Sequence, residues 1–470
     1  KPTQSARKFE MTMAMSVTNP STGVVEKEYP EDTAAVVEAK IALAQSAHES
    51  LRSESFAQRA LWMRASADLM ESEVSSLAPM MVREMGKPIT QAEAEVLKCV
   101  KCMRFYAAKA EGFLSAEPLA DPSSVNASAA FTTYQPLGVI LAVMPWNYPL
   151  WQVMRFAAPA LMAGNTGVLK HASNVPESAL YLHTLFTRGG FPEGAFGTLM
   201  IGASGVNAVI DDWRVKAVTL TGSEPAGRAV AERAGRQIKK SVMELGGSDA
   251  FVVMSTADIA QSAKVAVTAR VNNNGQSCIA GKRFIIHESV YDAWVSAFVA
   301  EMALLVMGDP MDPATQVGPL ATQNGQRDIS ALVEDAKGKG ATILLGGELP
   351  SGPGYFYPPT IIADLTPAMR VTMEEAFGPL ASVYRVSSKE EAIEIANQTT
   401  FGLSSAIWSQ DADEQKFFTS ELDAGAVFIN GMTISYPELA FGGVKDSGFG
   451  RELGAPGIRE FTNMKTIWQA

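Results

Sequence analysis

Residues 215–227 read VKAVTLTGSEPAG, and the fold turns on how this stretch is parsed. The apolar run 215–220 has strand length, and Thr221-Gly222-Ser223 follows it at once. Pro225 then opens a helical pattern, in the first turn where a missing N–H costs nothing. A strand that bends straight into a helix through Gly-Ser offers backbone N–H groups and a hydroxyl at the positive end of a helix dipole, a setting that suits a phosphate. Ser223 serves equally as an ordinary N-cap. The G-x-G-x-x-G dinucleotide turn is absent, so the stretch alone leaves both readings open.

Working outward, the same alternation continues on both sides. Upstream, 131–144, 166–169 and 197–201 read as strands, and 150–163, 176–188 and 206–210 as helices. Downstream come a helix at 225–234 and a strand at 241–245. Short strands alternating with helices imply a parallel, doubly wound sheet with right-handed crossovers, which binds ligands at its carboxyl edge. Before it, after a turn at 19–23, residues 33–114 are expected to be mostly helical, with apolar spacing of three and four through 34–47, 56–70 and 96–113. A polar, proline-bearing connector occupies 117–126. A second α/β region runs from 250 to about 419, with helices at 291–305 and 324–337, a loop at 309–318 and a strand at 381–385. The tail 441–451, FGGVKDSGFGR, carries four glycines and must bend closely around something.

At 470 residues the chain exceeds one simple core, so two or three domains are expected. A hydrophobic fraction of 47% against 19% charged residues describes a soluble globular protein. The net charge of −11, spread without acidic blocks, argues against nucleic acid or an anionic membrane surface as partner. No apolar run approaches a membrane span, and no secretory segment opens the chain. The first ten residues read unlike the rest of the chain, so Met11 is the expected natural start. Three cysteines make no disulfide framework and favour a reducing cytoplasm. Cys99 and Cys102 form a C-x-x-C, but no second pair or nearby histidine accompanies them. They are expected as buried thiols on one helix face, and no metal site is expected.

The remaining cysteine lies in 272–283, NNNGQSCIAGKR. A run rich in turn formers precedes Cys278 and a strand-like Phe284-Ile285-Ile286 comes after it, which holds the thiol on a bend. A bend can present a thiolate to free backbone N–H groups; a bland buried thiol is the alternative.

Together, Pro145-Trp146-Asn147, Leu169-Lys170, Thr221-Gly222-Ser223, Glu244-Leu245-Gly246-Gly247, Gly275-Gln276-Ser277-Cys278, Glu375-Ala376-Phe377-Gly378-Pro379 and Phe441-Gly442-Gly443 resemble, in their order, the aldehyde dehydrogenase superfamily. The resemblance runs from about residue 17 to the end, with Glu244 lying 34 positions before Cys278. It implies that Cys278 attacks an aldehyde to give a thiohemiacetal, that hydride passes to a nicotinamide, and that the resulting thioester is hydrolysed. It makes the Cys278 N–H and the Asn147 side chain the oxyanion donors and Glu244 the general base. Lys170 would bind the adenosine ribose, Gly222 and Ser223 the pyrophosphate, Glu375 the nicotinamide ribose, and Phe377 the ring, with Trp146 and Leu245 also against the cofactor. Many NAD-dependent members carry a glutamate where Ser173 stands here; a serine does not repel a 2′-phosphate, so NAD or NADP is expected, with NADP admissible.

Residues 145–170 look most like the succinate-semialdehyde dehydrogenases of this superfamily, which clamp a distal carboxylate with two arginines and a serine. Arg155 and Ser435 match one arginine and the serine, whereas Asn272 stands where the second arginine would be. The expected substrate is succinate semialdehyde. Alternatives are glutarate semialdehyde or uncharged aldehydes with Arg155 in a structural ion pair, or a cysteine esterase activity alone. Ala280 replaces the second cysteine of some relatives, so no redox disulfide at Cys278 is expected. The resemblance further implies a Rossmann-type nucleotide-binding domain (1–116 and 135–246), an α/β catalytic domain (247–455) and a small β oligomerisation arm (117–134 and 456–470). An arm with open edges implies a homodimer or homotetramer.

Overall fold

The computed structural model describes residues 15–470. The expected start at Met11 and the ten residues before it lie outside the described residues.

The stretch 215–227 forms the predicted strand and helix, Val215–Thr221 and Glu224–Arg236. Val215–Thr221 pairs in parallel with Val139–Met144 on one side and Lys240–Glu244 on the other. Thr166–His171 and Phe196–Thr198 extend the sheet beyond Val139–Met144, also in parallel, and Gly448–Phe449 closes the opposite edge antiparallel. Nearly every residue of these parallel strands is shielded, because helices cover both faces, and so they read as continuous apolar runs. The chain order reverses between Val139–Met144 and Val215–Thr221, which opens a crevice beyond their carboxyl ends.

A second sheet of seven strands has the order Thr342–Leu345, Thr360–Ala363, Leu380–Val386, Gly281–His287, Asp249–Val253, Ser405–Trp408, Phe428–Ile429. All its pairings are parallel except that of the first two strands. This is the mixed α/β, doubly wound architecture expected for the chain.

Four helices, Ala34–Leu51, Phe56–Ser72, Val74–Met85 and Ile89–Phe113, precede the first sheet. Thr33 and Ser55 cap the first two by accepting from the N–H groups of Val36 and Gln58. Cys99 and Cys102 are buried in the fourth as free thiols. Burial pushes both thiols up, so they pack as small apolar groups.

Three local readings need correction. The run 131–144 is two strands in different sheets: Ala129–Pro136 pairs antiparallel with Thr462–Gln469, while Val139–Met144 lies in the core. Gly138, at φ +134°, turns the chain between them, and Gln135-Pro136 just before it interrupts the apolar run. The connector 117–126 contributes a short strand, Glu117–Pro118, to the same small sheet. The strand expected at 197–201 ends at Thr198. The predicted turn at 19–23 joins a hairpin of Met15–Asn19 and Val24–Tyr29, whose Ser16 N–H donates to the Ser173 carbonyl at 3.1 Å. Among the described residues no helix is long and apolar enough to cross a membrane.

Candidate active site

Cys278 sits between the helix Ile259–Val271 and the strand Gly281–His287, on a loop that its own side chains lock. Asn273, Asn274 and Gly275 all take left-handed backbone angles, at φ +57°, +58° and +76°. Asparagine and glycine are the residues that tolerate this region, which explains the NNNG run. The Asn274 amide donates to the carbonyls of Gly86 and Pro319 and accepts from the Gly318 N–H. Buried Arg270 donates to the carbonyls of Gly275, Ala376 and Leu380, binding the loop to the segment that carries Glu375 and Phe377. At Gly275 a side chain would strike the Gly378 carbonyl. Gly275→Ala is therefore expected to cost about 2–4 kcal/mol from overpacking and left-handed strain, read as a lower Tm together with lost activity.

Asn147 lies beyond the carboxyl end of Val139–Met144 and reaches this loop. Its side-chain amide donates to the Gln276 carbonyl at 3.1 Å, and Asn273 donates to the carbonyls of Asn147 and Gln276 at 2.8 and 2.9 Å. One Asn147 N–H remains uncommitted. The Cys278 backbone N–H makes no hydrogen bond among the described residues.

The other predicted cofactor residues gather at the carboxyl edge of the first sheet. Trp146 follows Met144 and meets Phe377 edge-to-face at 5.7 Å between ring centres. Lys170 and Ser173 stand half-buried at the end of Thr166–His171, with burial lowering the lysine against the pull of Glu31. The Gly222 N–H donates to the Glu244 carbonyl. Ser223 is exposed at the N-cap of Glu224–Arg236, yet its side chain makes no capping bond, so the hydroxyl and the first helical N–H groups stay free for an anion. Leu245 packs where a side chain on Gly227 would clash, which holds that helix close to the sheet. The Glu375 carboxylate accepts from the Gly247 N–H and from Lys282, and any side chain on Gly246 would collide with it. Free donors at a helix N-terminus, a half-buried lysine and a positioned carboxylate along one sheet edge fit a dinucleotide.

Cys278, Arg155, Asn272 and Ser435 line one cavity of about 170 Å³. A cavity of roughly 150 Å³ admits benzene, so the space matches a small molecule. Arg155 is buried on the helix Trp151–Ala163, with its Nε 2.5 Å from Glu452 and its guanidinium 4.4 Å from the Phe441 ring centre. Glu244 lies at the end of Lys240–Glu244, outside the cavity wall. Both its oxygens are buried without a donor among the described residues, and a side chain on Gly442 would stand 2.8 Å from one of them.

Burial governs the electrostatics. It pushes the Cys278 thiol up to about 12, with Arg155 and Lys282 pulling the other way. Burial and nearby Glu452 hold the Glu244 carboxyl well above the usual range, while Arg155 and Arg451 oppose them. Arg155 thus acts on both groups and favours the charged form of each.

Several residues of the site carry no local signal in the sequence. Arg270 and Lys282 flank the loop as ordinary basic residues, and the acidic partner of Arg155 lies almost three hundred positions away. Lys98 escapes notice beside the C-x-x-C, yet it lines the cavity. Among the described residues no cluster of three or more His, Cys, Asp or Glu is placed to hold a metal ion.

The model of the aldehyde dehydrogenase family matches residues 8–467. The chain is 57% identical over 457 residues to a succinate-semialdehyde dehydrogenase (NADP+) of Mycolicibacterium paratuberculosis, covering 97% of each chain. It is 57% identical over 458 residues to succinate-semialdehyde dehydrogenase (NADP+) 1 of Mycobacterium tuberculosis H37Rv, covering 97% of this chain and all of that one. Its fold matches the crystal structure of succinic semialdehyde dehydrogenase from Streptococcus pyogenes in complex with NADP+ at a TM-score of 0.94 and 38% identity, over 97% and 99% of the two chains.

Proposed function

This chain belongs to the aldehyde dehydrogenase family, and we propose that it oxidises succinate semialdehyde to succinate through a covalent adduct at Cys278. The reading is carried by one observation: a cysteine on a rigid loop, Arg155, Asn272 and Ser435 line a single cavity sized for a short aldehyde.

The Cys278 thiol gives up its proton to water, the thiolate sulfur adds to the aldehyde carbon, and the carbonyl electrons move onto oxygen. The Cys278 N–H and the free Asn147 amide N–H donate to that oxyanion. A bound NAD or NADP supplies the acceptor for the hydride that departs from the carbon. Lys170, Ser173, Gly222, Ser223, Leu245, Glu375, Trp146 and Phe377 would hold and orient the cofactor. Glu244 takes a proton from the water that attacks the thioester, and the Cys278 thiolate leaves as the carboxylate forms. Ser173 accepts a 2′-phosphate without repulsion, and the two mycobacterial relatives are named for NADP(+).

The three-part division extends this reading: nucleotide-binding segments 1–116 and 135–246, a catalytic unit 247–455, and an arm of 117–134 with 456–470. The arm's open edges would pair with a neighbouring subunit in a homodimer or homotetramer, working in the cytoplasm.

A second reading has one observation in its favour. Because Arg155 is engaged by Glu452, its charge is partly spent, and a broader aldehyde dehydrogenase with a structural Arg155 fits that pair. Wild-type kcat/KM for succinate semialdehyde and for butanal, each with NADP and NAD, separates the two. The proposal expects succinate semialdehyde to lead by about 10- to 100-fold, the worth of one charge-assisted hydrogen bond, and NADP to lead NAD. Equal values for the two aldehydes would overturn it.

A further inference from the structure

The carboxylate clamp implied by the sequence lacks one cation, because Asn272 is uncharged, and Arg155 is already engaged by Glu452. The cavity nevertheless holds an ammonium without an acidic partner among the described residues. Lys98 projects from the helix Ile89–Phe113 into the cavity wall, where its Nζ donates to the Ser435 hydroxyl at 2.8 Å and lies 4.3 Å from the centre of the Trp151 ring. Glu95, one turn earlier, is consumed elsewhere: it pairs with Lys87 and accepts from the Leu150 and Trp151 N–H groups at the start of the helix Trp151–Ala163. That contact fixes the two helices together and aims Lys98 at Ser435. No other carboxylate among the described residues forms an ion pair with Lys98.

Ser435 completes the geometry. Its oxygen accepts from Lys98 and, at 3.1 Å, from the Trp151 indole N–H. Both lone pairs are then used, so the hydroxyl hydrogen is left to donate. Lys98 has three N–H bonds; one serves Ser435, one faces the indole, and one remains. An unpaired, half-buried ammonium beside a hydroxyl whose hydrogen is left to donate is a receiver for an anion.

We propose that Lys98 is the specificity residue that binds the distal carboxylate of the substrate, with Ser435 donating beside it, in the place left open at Asn272. The proposal rests on the succinate semialdehyde reading. An aldehyde carrying a carboxylate at its other end would neutralise Lys98 and displace no existing ion pair.

The ionisation of Lys98 supplies a second readout. Glu95, Cys99 and Cys102 face it from its own helix and Arg155 from the neighbouring one; burial and Arg155 bring it down to about 8. A bound carboxylate holds the proton on, so KM for succinate semialdehyde should rise as pH passes above 8 and the free amine forms.

The test compares the full-length wild type with Lys98→Met and Lys98→Arg, using succinate semialdehyde and butanal across that pH range. Lys98→Met should lower kcat/KM for succinate semialdehyde by about 10- to 100-fold, chiefly through KM, and far less for butanal. Lys98→Arg should restore most of the preference and flatten the alkaline rise in KM, since guanidinium stays charged. Equal losses of Lys98→Met on both aldehydes would overturn the proposal by making Lys98 a packing residue. A wild-type preference that survives Lys98→Met would overturn it alone, whereas a wild type with no preference would overturn the substrate reading and this proposal together.

Discussion

Cys278→Ala should abolish NAD(P)H formation from succinate semialdehyde, lowering kcat by on the order of 10,000-fold or more, as removal of a covalent nucleophile does elsewhere. Cys278 is half-buried, and its loop is held by Arg270, Asn274 and Gln276 rather than by the thiol, so the variant should fold with an unchanged Tm. Steady-state NADPH absorbance and a thermal melt distinguish lost chemistry from lost structure. Full turnover by the alanine variant would remove Cys278 from the mechanism.

Glu244→Gln should separate the two halves of the reaction. Glutamine keeps the volume of the side chain but takes up no proton, so thioester hydrolysis should slow by about 100- to 10,000-fold. A first turnover should still occur, giving a burst of NADPH of about one equivalent per active site followed by near silence. The pH profile carries the same information. Burial pushes both the Cys278 thiol and the Glu244 carboxyl upward, and each acts in its deprotonated form. Wild-type kcat should therefore climb as pH rises through neutrality and into the alkaline range. Stopped-flow absorbance in Glu244→Gln with no burst, and with the adduct-forming step slowed instead, would assign Glu244 to thiol activation.

What the chain reveals by itself is uneven, for physical reasons. Strands buried on both faces spell themselves as apolar runs, so the strand and helix read from 215–227 agree with the structure to within a few residues. The passage from Ala129–Pro136 to Val139–Met144 is marked by Pro136 and Gly138, turn formers that a single-strand reading of 131–144 passes over. The NNNG run was legible as a bend, while the hold of Arg270 on three distant carbonyls was not. Polar groups that meet across long sequence separations leave no periodic trace. Lys98 and Ser435 are 337 positions apart, and a lysine on a helix otherwise reads as a solvated one. The Arg155–Glu452 pair belongs to the same class: the arginine stood out among apolar helical residues, and its partner did not.

The most direct test of the covalent route is the mass of the enzyme caught in the act. Glu244→Gln, mixed with succinate semialdehyde and NADP and quenched in acid after the burst, should carry one succinyl group, and peptide mapping should place it on Cys278. An unmodified Cys278 peptide after a full burst, or a succinyl group on any other residue, would contradict the account.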